Sequence, residues 1–240
     1  MMKFGKKTWI VLIAVVLAVA LATVGTVCLI RYLSDQKKAR ERQSWFDAFY
    51  ASKLESFAAE NALYDDYEVD VAFIGDSLTD GYDVKNYYPQ YTVVNRGIGG
   101  DTTIRLAERL QVSLYDLKPK VVVMLIGANN MSTMFDNYEQ ILQDLQKNLP
   151  ESKIVLLSLT SMSREWGKNN QLAAYNNVKI KMLAEQYGFE FVDLYSALMN
   201  LETGEIYDEY TTDGGHLTPK GYEVFTATVT PTLERLLDED

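Results

Sequence analysis

One cysteine, Cys28, one histidine, His216, and five prolines are all that 240 residues contain of these types. A lone thiol excludes an internal disulfide, and with a lone imidazole it leaves no ligand set of the kind that holds zinc. Neither a metal nor another cofactor is expected. Positive charge is scarce beyond residue 42, where 15 Lys and Arg face 31 Asp and Glu, a net of −16 that the whole-chain value of −10 understates. Without a basic stripe for phosphate backbones, nucleic acid is excluded as a partner. No internal repeat or low-complexity tract is present, and 48% hydrophobic with 23% charged residues is an ordinary globular balance.

Charge is missing altogether from Trp9 to Ile30, a run of 22 residues. As a helix it would reach about 33 Å, enough to cross a bilayer core. Lys3, Lys6 and Lys7 precede it, an opening shared by secretory signals and N-terminal anchors. The run is longer than a signal's apolar region, although Ala20-Leu21-Ala22 offers a cleavage site, and Cys28 lacks the small residue before it that a lipoprotein signal needs. The expectation is a short basic tail (1–8) and an uncleaved anchor (9–30), the alternative being secretion after signal cleavage. Arg31, Lys37, Lys38, Arg40 and Arg42 outnumber the three lysines, against the usual charge bias. A short tail before a single apolar segment nevertheless favours a single-pass cell-membrane protein with its domain outside.

Residues 31–67 read as an amphipathic spacer, with Phe46, Phe49, Tyr50, Leu54 and Phe57 at helical spacing. From 68 to 240 the pattern turns to strand and helix in alternation. Short apolar runs at Val69–Ile74, Thr92–Asn95, Val121–Ile126, Ile154–Leu159 and Glu190–Leu194 suit strands buried on both faces. Between them lie "TTIRLAERLQVSLYDL", "FDNYEQILQDLQKNL" and "NQLAAYNNVKIKMLAEQYG", each helical in spacing. The expected fold is α/β: a three-layer α/β/α domain on a five-stranded, mostly parallel sheet, preceded by the transmembrane helix.

In such a sheet ligands bind beyond the carboxyl ends of the strands, so unusual residues just after each run are site candidates. Gly75-Asp76-Ser77 follows the first, and Ser77 is either a nucleophile or a helix cap. "NRGIGGDTT" follows the second, with Gly97, Gly99 and Gly100 offering close backbone approach or a flexible turn. "IGANN" follows the third, where the Asn129 or Asn130 amide could donate to an oxyanion or simply form a turn. His216 lies three residues after Asp213 in "TTDGGHLTPKGY". A serine nucleophile needs a base within hydrogen-bond reach, and the base needs an acceptor to hold its tautomer. An aspartate on the same loop can curl back to supply it. Trp166, Tyr82 and Met131 sit near strand ends as pocket walls or ordinary packing.

Taken together, "GDSLTDG", "NRGIGGD", "GANN" and "DGGHLTPKGY", in this order from about residue 69 to 237, resemble the four blocks of the SGNH, or GDSL, hydrolases. The second block is most similar to the branch of platelet-activating-factor acetylhydrolase subunits and carbohydrate acetylesterases. The resemblance implies a flavodoxin-like SGNH fold and Ser77 as nucleophile, with Asp213 and His216 completing a triad. It further implies that the Ser77 N–H, the Gly99 N–H and the Asn129 side chain form the oxyanion hole. Asn130 departs from the Asp that many members carry there, which puts one secondary hydrogen bond in question.

The expected function is a serine esterase cleaving short-acyl, acetyl esters of carbohydrate or lipid through an acyl-enzyme. Its partners would be a small-molecule, glycan or lipid ester and, through the anchor, a membrane. An O-acetyltransferase acting on cell-envelope glycan would use the same acyl-enzyme, and a surface binding module would need none of it. A phosphoacceptor domain would want an aspartate after the third strand, where Gly127-Ala128-Asn129 stands, and leaves His216 without a role.

Overall fold

The computed structural model describes residues 5–238, apart from the side chains at 13, 14, 16 and 18. The chain divides into two units, Met1–Ser52 and Lys53–Asp240. Helix α1 (Lys6–Asn61) supplies the described part of the first unit and the opening of the second. In the first unit Trp45 and Phe49 stack with ring centroids 5.5 Å apart, one helical turn from each other. Among the described residues no helix is long and apolar enough to cross a membrane. The expected span at 9–30 therefore gains no support from the structure, and four of its side chains fall outside the described residues.

In the second unit α1 is followed by strands β1 (Val71–Gly75), β2 (Val93–Gly97), β3 (Val121–Leu125), β4 (Lys153–Leu157) and β5 (Glu190–Val192). The helices among and after them are α2 (Ser77–Asp80), α3 (Val84–Tyr87), α4 (Thr103–Glu108), α5 (Tyr138–Asn148), α6 (Arg164–Gly167), α7 (Asn170–Tyr187), α8 (Leu194–Leu198) and α9 (Pro219–Asp238). The strands form one sheet in the order β2-β1-β3-β4-β5, and every pairing is parallel. Parallel strands require crossovers, and the crossovers place helices on both faces.

That covering explains why the apolar runs do not alternate. Along β1 and β3, Ala72, Ile74, Val122 and Met124 enter one core with α4, α5 and α7. Val71, Phe73, Val121 and Val123 enter the other with α8 and α9. Successive side chains point to opposite faces, and both faces are dry. Helix α7 stops where the left-handed Gly188 (φ 69°) turns the chain toward β5, as its sequence position predicts.

One helix differs from its pattern. "TTIRLAERLQVSLYDL" reads as one continuous helix, but α4 ends at Glu108 and a π-helical turn over Gln111–Tyr115 follows. The residue at the break, Arg109, is fully buried. Its side chain enters the sheet end instead of the solvent face that a charged helical residue normally takes.

From β1 the chain first moves outward to β2, then crosses back to β3 on the other side of β1. Loops leaving β1 and β3 diverge there, and the crevice between them is the ligand position in this topology.

Candidate active site

Ser77 is placed by the exit of β1. A Cβ on Gly75 would lie 2.1 Å from the Leu125 carbonyl oxygen, so only glycine lets the chain turn this tightly against β3. Asp76 then caps α2, its carboxylate accepting the Leu78 N–H at 3.1 Å. The capping role therefore belongs to residue 76, and Ser77, in the first turn of α2, keeps its hydroxyl for another partner. That partner is His216, whose Nε2 lies 3.1 Å from Ser77 Oγ.

His216 is held by its own loop. Its Nδ1 lies 2.8 Å from Asp213 Oδ2, while Asp213 Oδ1 accepts the backbone N–H groups of Gly215 (2.9 Å) and His216 (2.8 Å). These bonds, the His216 N–H foremost, hold the Asp213 carboxyl well below the usual carboxylate range. An ionised carboxylate only accepts, so Nδ1 carries the proton and Nε2 is left as the acceptor for the serine hydroxyl. Gly214, at φ 95°, turns the loop so that its carbonyl accepts the Ser163 N–H at 2.9 Å. Above the imidazole, Trp166 packs edge-on at 6.2 Å.

Asn129, at the exit of β3, lies beside Ser77 and His216 around one cavity. One N–H of its amide donates to the Asp101 carbonyl at 2.8 Å, and the other remains for a ligand, since an amide nitrogen carries two donors. Gly99 is placed differently from the expectation. Its N–H donates to Asp80 Oδ2 at 3.0 Å, and it is not part of the cavity wall. Asn130, the residue that departs from the family pattern, bonds Thr103 twice, donating to its hydroxyl at 2.9 Å and accepting its N–H at 3.3 Å.

The cavity measures about 40 Å³, and Leu78, Ala128, Met162 and Trp166 supply its apolar wall. Of the three wall candidates in the sequence only Trp166 reaches it, whereas Tyr82 and Met131 are buried in the two cores. Asp76 also lines the cavity, and its capping position in the sequence gives no sign that it titrates there. It is buried, its Oδ2 has no partner, and burial pushes its carboxyl up to about 7. Among the described residues no cluster of three or more His, Cys, Asp or Glu could hold a metal ion.

This geometry can be set beside known proteins. The rat platelet-activating factor acetylhydrolase IB subunit alpha2 is 29% identical over 184 residues, covering 72% of this chain and 80% of that one. A solved Streptococcus pneumonia protein, related by its description to platelet activating factor, is 27% identical with a TM-score of 0.74, covering 81% of this chain and 97% of that one. A variant of an acetyl-xylooligosaccharide esterase from Geobacillus Stearmophilus, 20% identical with a TM-score of 0.58 over 70% of this chain and 95% of that one, shares the fold. The model of the GDSL-like lipase/acylhydrolase family matches residues 73–224, from the middle of β1 into α9. That span is more than half of the chain and takes in Ser77, Asn129, Asp213 and His216, so the chain belongs to the GDSL-like lipase/acylhydrolase family, hydrolases acting on ester bonds.

Proposed function

We propose that the chain is a serine esterase that removes short acyl groups, acetyl foremost, from carbohydrate or lipid alcohols. The observation that carries this reading is the unbroken sequence of contacts from Ser77 Oγ through His216 to Asp213. Ser77 Oγ attacks the ester carbonyl while His216 Nε2 takes its proton, and Asp213 stabilises the imidazolium that forms. The oxyanion is held by the Ser77 N–H and the second N–H of Asn129. Collapse of the tetrahedral intermediate breaks the ester C–O bond, and His216 returns the proton to the leaving alcohol. Water then attacks the acyl-enzyme by the same route and releases the acid and free Ser77. Gly99 joins the oxyanion hole only if Asp80 lets go of its N–H.

Support for a short acyl group comes from the size of the cavity, which falls far below the roughly 300 to 1,000 Å³ of sites for drug-sized ligands. Two of the relatives, the rat acetylhydrolase subunit and the Geobacillus esterase, are also named for acetyl groups. A fluorophosphonate probe should label the wild-type chain and fail to label Ser77→Ala. On p-nitrophenyl esters, kcat/KM should be greatest for acetate and fall steeply by octanoate. Absence of labelling of folded protein sinks the serine mechanism, and a preference for octanoate sinks the short-acyl reading. The proposal includes an anchor at 9–30 that holds the domain outside the cell membrane, supported by the 22 uncharged residues of the run.

A further inference from the structure

Arg109 lies outside the contacts from Ser77 to Asp213, yet it bonds to the exits of two strands and to the loop that holds Asn129. Its guanidinium is fully buried. Nη2 donates to the Gly75 carbonyl at 3.0 Å, at the exit of β1 two residues before Ser77. Nη1 donates to the Arg96 carbonyl at 2.8 Å, near the exit of β2, and to Ser113 Oγ at 2.9 Å. Nε donates to Asp101 Oδ2 at 2.8 Å. Asp101 is itself buried, and its other carboxylate oxygen accepts the Thr102 N–H at 3.0 Å. The backbone carbonyl of this same Asp101 is what holds the Asn129 amide after β3.

One planar cation thus ties together the exits of β1 and β2 and, through Asp101, the amide beyond β3. A buried ion pair is weak evidence of a stabilising role, because well-packed apolar residues in its place are often as stable. Here two of the acceptors are backbone carbonyls at the ends of β1 and β2, the former lying two residues before the nucleophile, and another is the carboxylate of the residue whose own carbonyl holds the oxyanion donor. The fork of five N–H donors fixed in one plane suits that task, and a lysine ammonium on its flexible stem does not reproduce it. The break between α4 and the π-helical turn lies just where Arg109 turns inward, and such turns recur at functional sites.

We infer that Arg109, acting through Asp101, is a positioning residue of the oxyanion hole: it fixes the Asn129 amide and the turn that presents Ser77. The inference rests on the esterase reading. It accounts for an internal charge that the triad does not use, and it makes Asn129's orientation depend on a residue twenty positions away in sequence.

The test compares Arg109→Lys, Asp101→Asn, Asn129→Ala and the double variant Arg109→Lys/Asn129→Ala in the full chain. Arg109→Lys should lower kcat on p-nitrophenyl acetate roughly ten- to a hundredfold while KM changes less than about twofold. In the Asn129→Ala background the same change should cost much less, because the donor it positions is gone. A wild-type kcat in Arg109→Lys, a loss confined to KM, or a loss equally large in both backgrounds overturns the inference. The Asn129 side-chain amide signal, assigned by its disappearance in Asn129→Ala, gives a readout independent of turnover. It should shift in Arg109→Lys, and an unmoved signal also overturns the inference. If Arg109→Lys does not fold, Asp101→Asn is read by the same criteria, its kcat loss and amide shift deciding alone. If the wild type neither labels with fluorophosphonate nor hydrolyses esters, it is the esterase reading that fails, and the amide signal still decides whether Arg109 positions Asn129.

Discussion

Asp76 combines two jobs that pull in opposite directions. Its Oδ1 caps α2 through the Leu78 N–H, which favours the ionised form, while complete burial with an unpartnered Oδ2 favours the neutral one. Burial is the larger effect and raises the carboxyl from its ordinary 3.8 to about 7. Below the ordinary value, folded and unfolded chains are both protonated and the group does not affect stability. As pH rises from there to about 7, the unfolded chain releases a proton that the folded chain retains, so stability falls; above that the loss is complete. Asp76→Asn keeps a capping oxygen and removes the titration. Urea unfolding should show the variant gaining on wild type between pH 4.5 and pH 8 by an amount on the order of a few kcal/mol. The same difference at both pH values would contradict this account.

At the scale of elements, the end of α1 is part of the second unit, although its sequence reads as spacer. Arg96, on β2, is fully buried, and its guanidinium reaches back to Glu60 and Asn61 on α1 and lies 4.9 Å over the Phe57 ring. Burial lowers the Arg96 pKa; at Glu60 burial pushes the carboxyl up, but the bonds from Arg96 and Lys85 together outweigh it and hold the carboxyl below its ordinary value. Removing one partner of a buried pair costs about 3–5 kcal/mol, and because Glu60 retains some solvent exposure the expected loss in Glu60→Ala is nearer to about 2 kcal/mol. Chemical denaturation of the full chain checks this, and a loss under about 0.5 kcal/mol would mean that solvent replaces Glu60 without cost. Apolar runs made the five strands legible because burial on both faces demands continuous hydrophobicity. Ser77 and Asn129 were legible because strand exits converge at the rim of a parallel sheet, and His216 because a serine there needs a base and Asp213 stands three residues before the lone histidine. Arg109 was not, since a charge at helical spacing normally marks a solvated face. The bond that engages the Gly99 N–H was not legible either, because it joins the end of α2 to the loop after β2, whose approach is set by the packing of β1 against β2.

At the scale of the whole molecule, charge is divided along the chain: 8 Lys and Arg against 2 acids in residues 1–42, and a net of −16 after them. The division matters for the proposed anchor, because an anionic lipid surface repels the acidic domain and attracts only the basic residues of 1–42. Attachment through those basic residues alone is lost in salt and alkali, whereas burial of the apolar run at 9–30 in a bilayer withstands both. The expected outcome is that the full chain stays in the membrane pellet through alkaline carbonate washing and is released by detergent. A chain in which Leu17, Val19 and Leu21 are replaced by Asp should leave the pellet, because charged residues at the centre of a span cost roughly 3 kcal/mol each. Release of the unaltered chain by carbonate, or its recovery in the medium with residues 1–22 removed, would replace the anchor with a soluble or secreted enzyme. Neither result would alter the geometry of Ser77, His216 and Asp213, which is contained within residues 53–240.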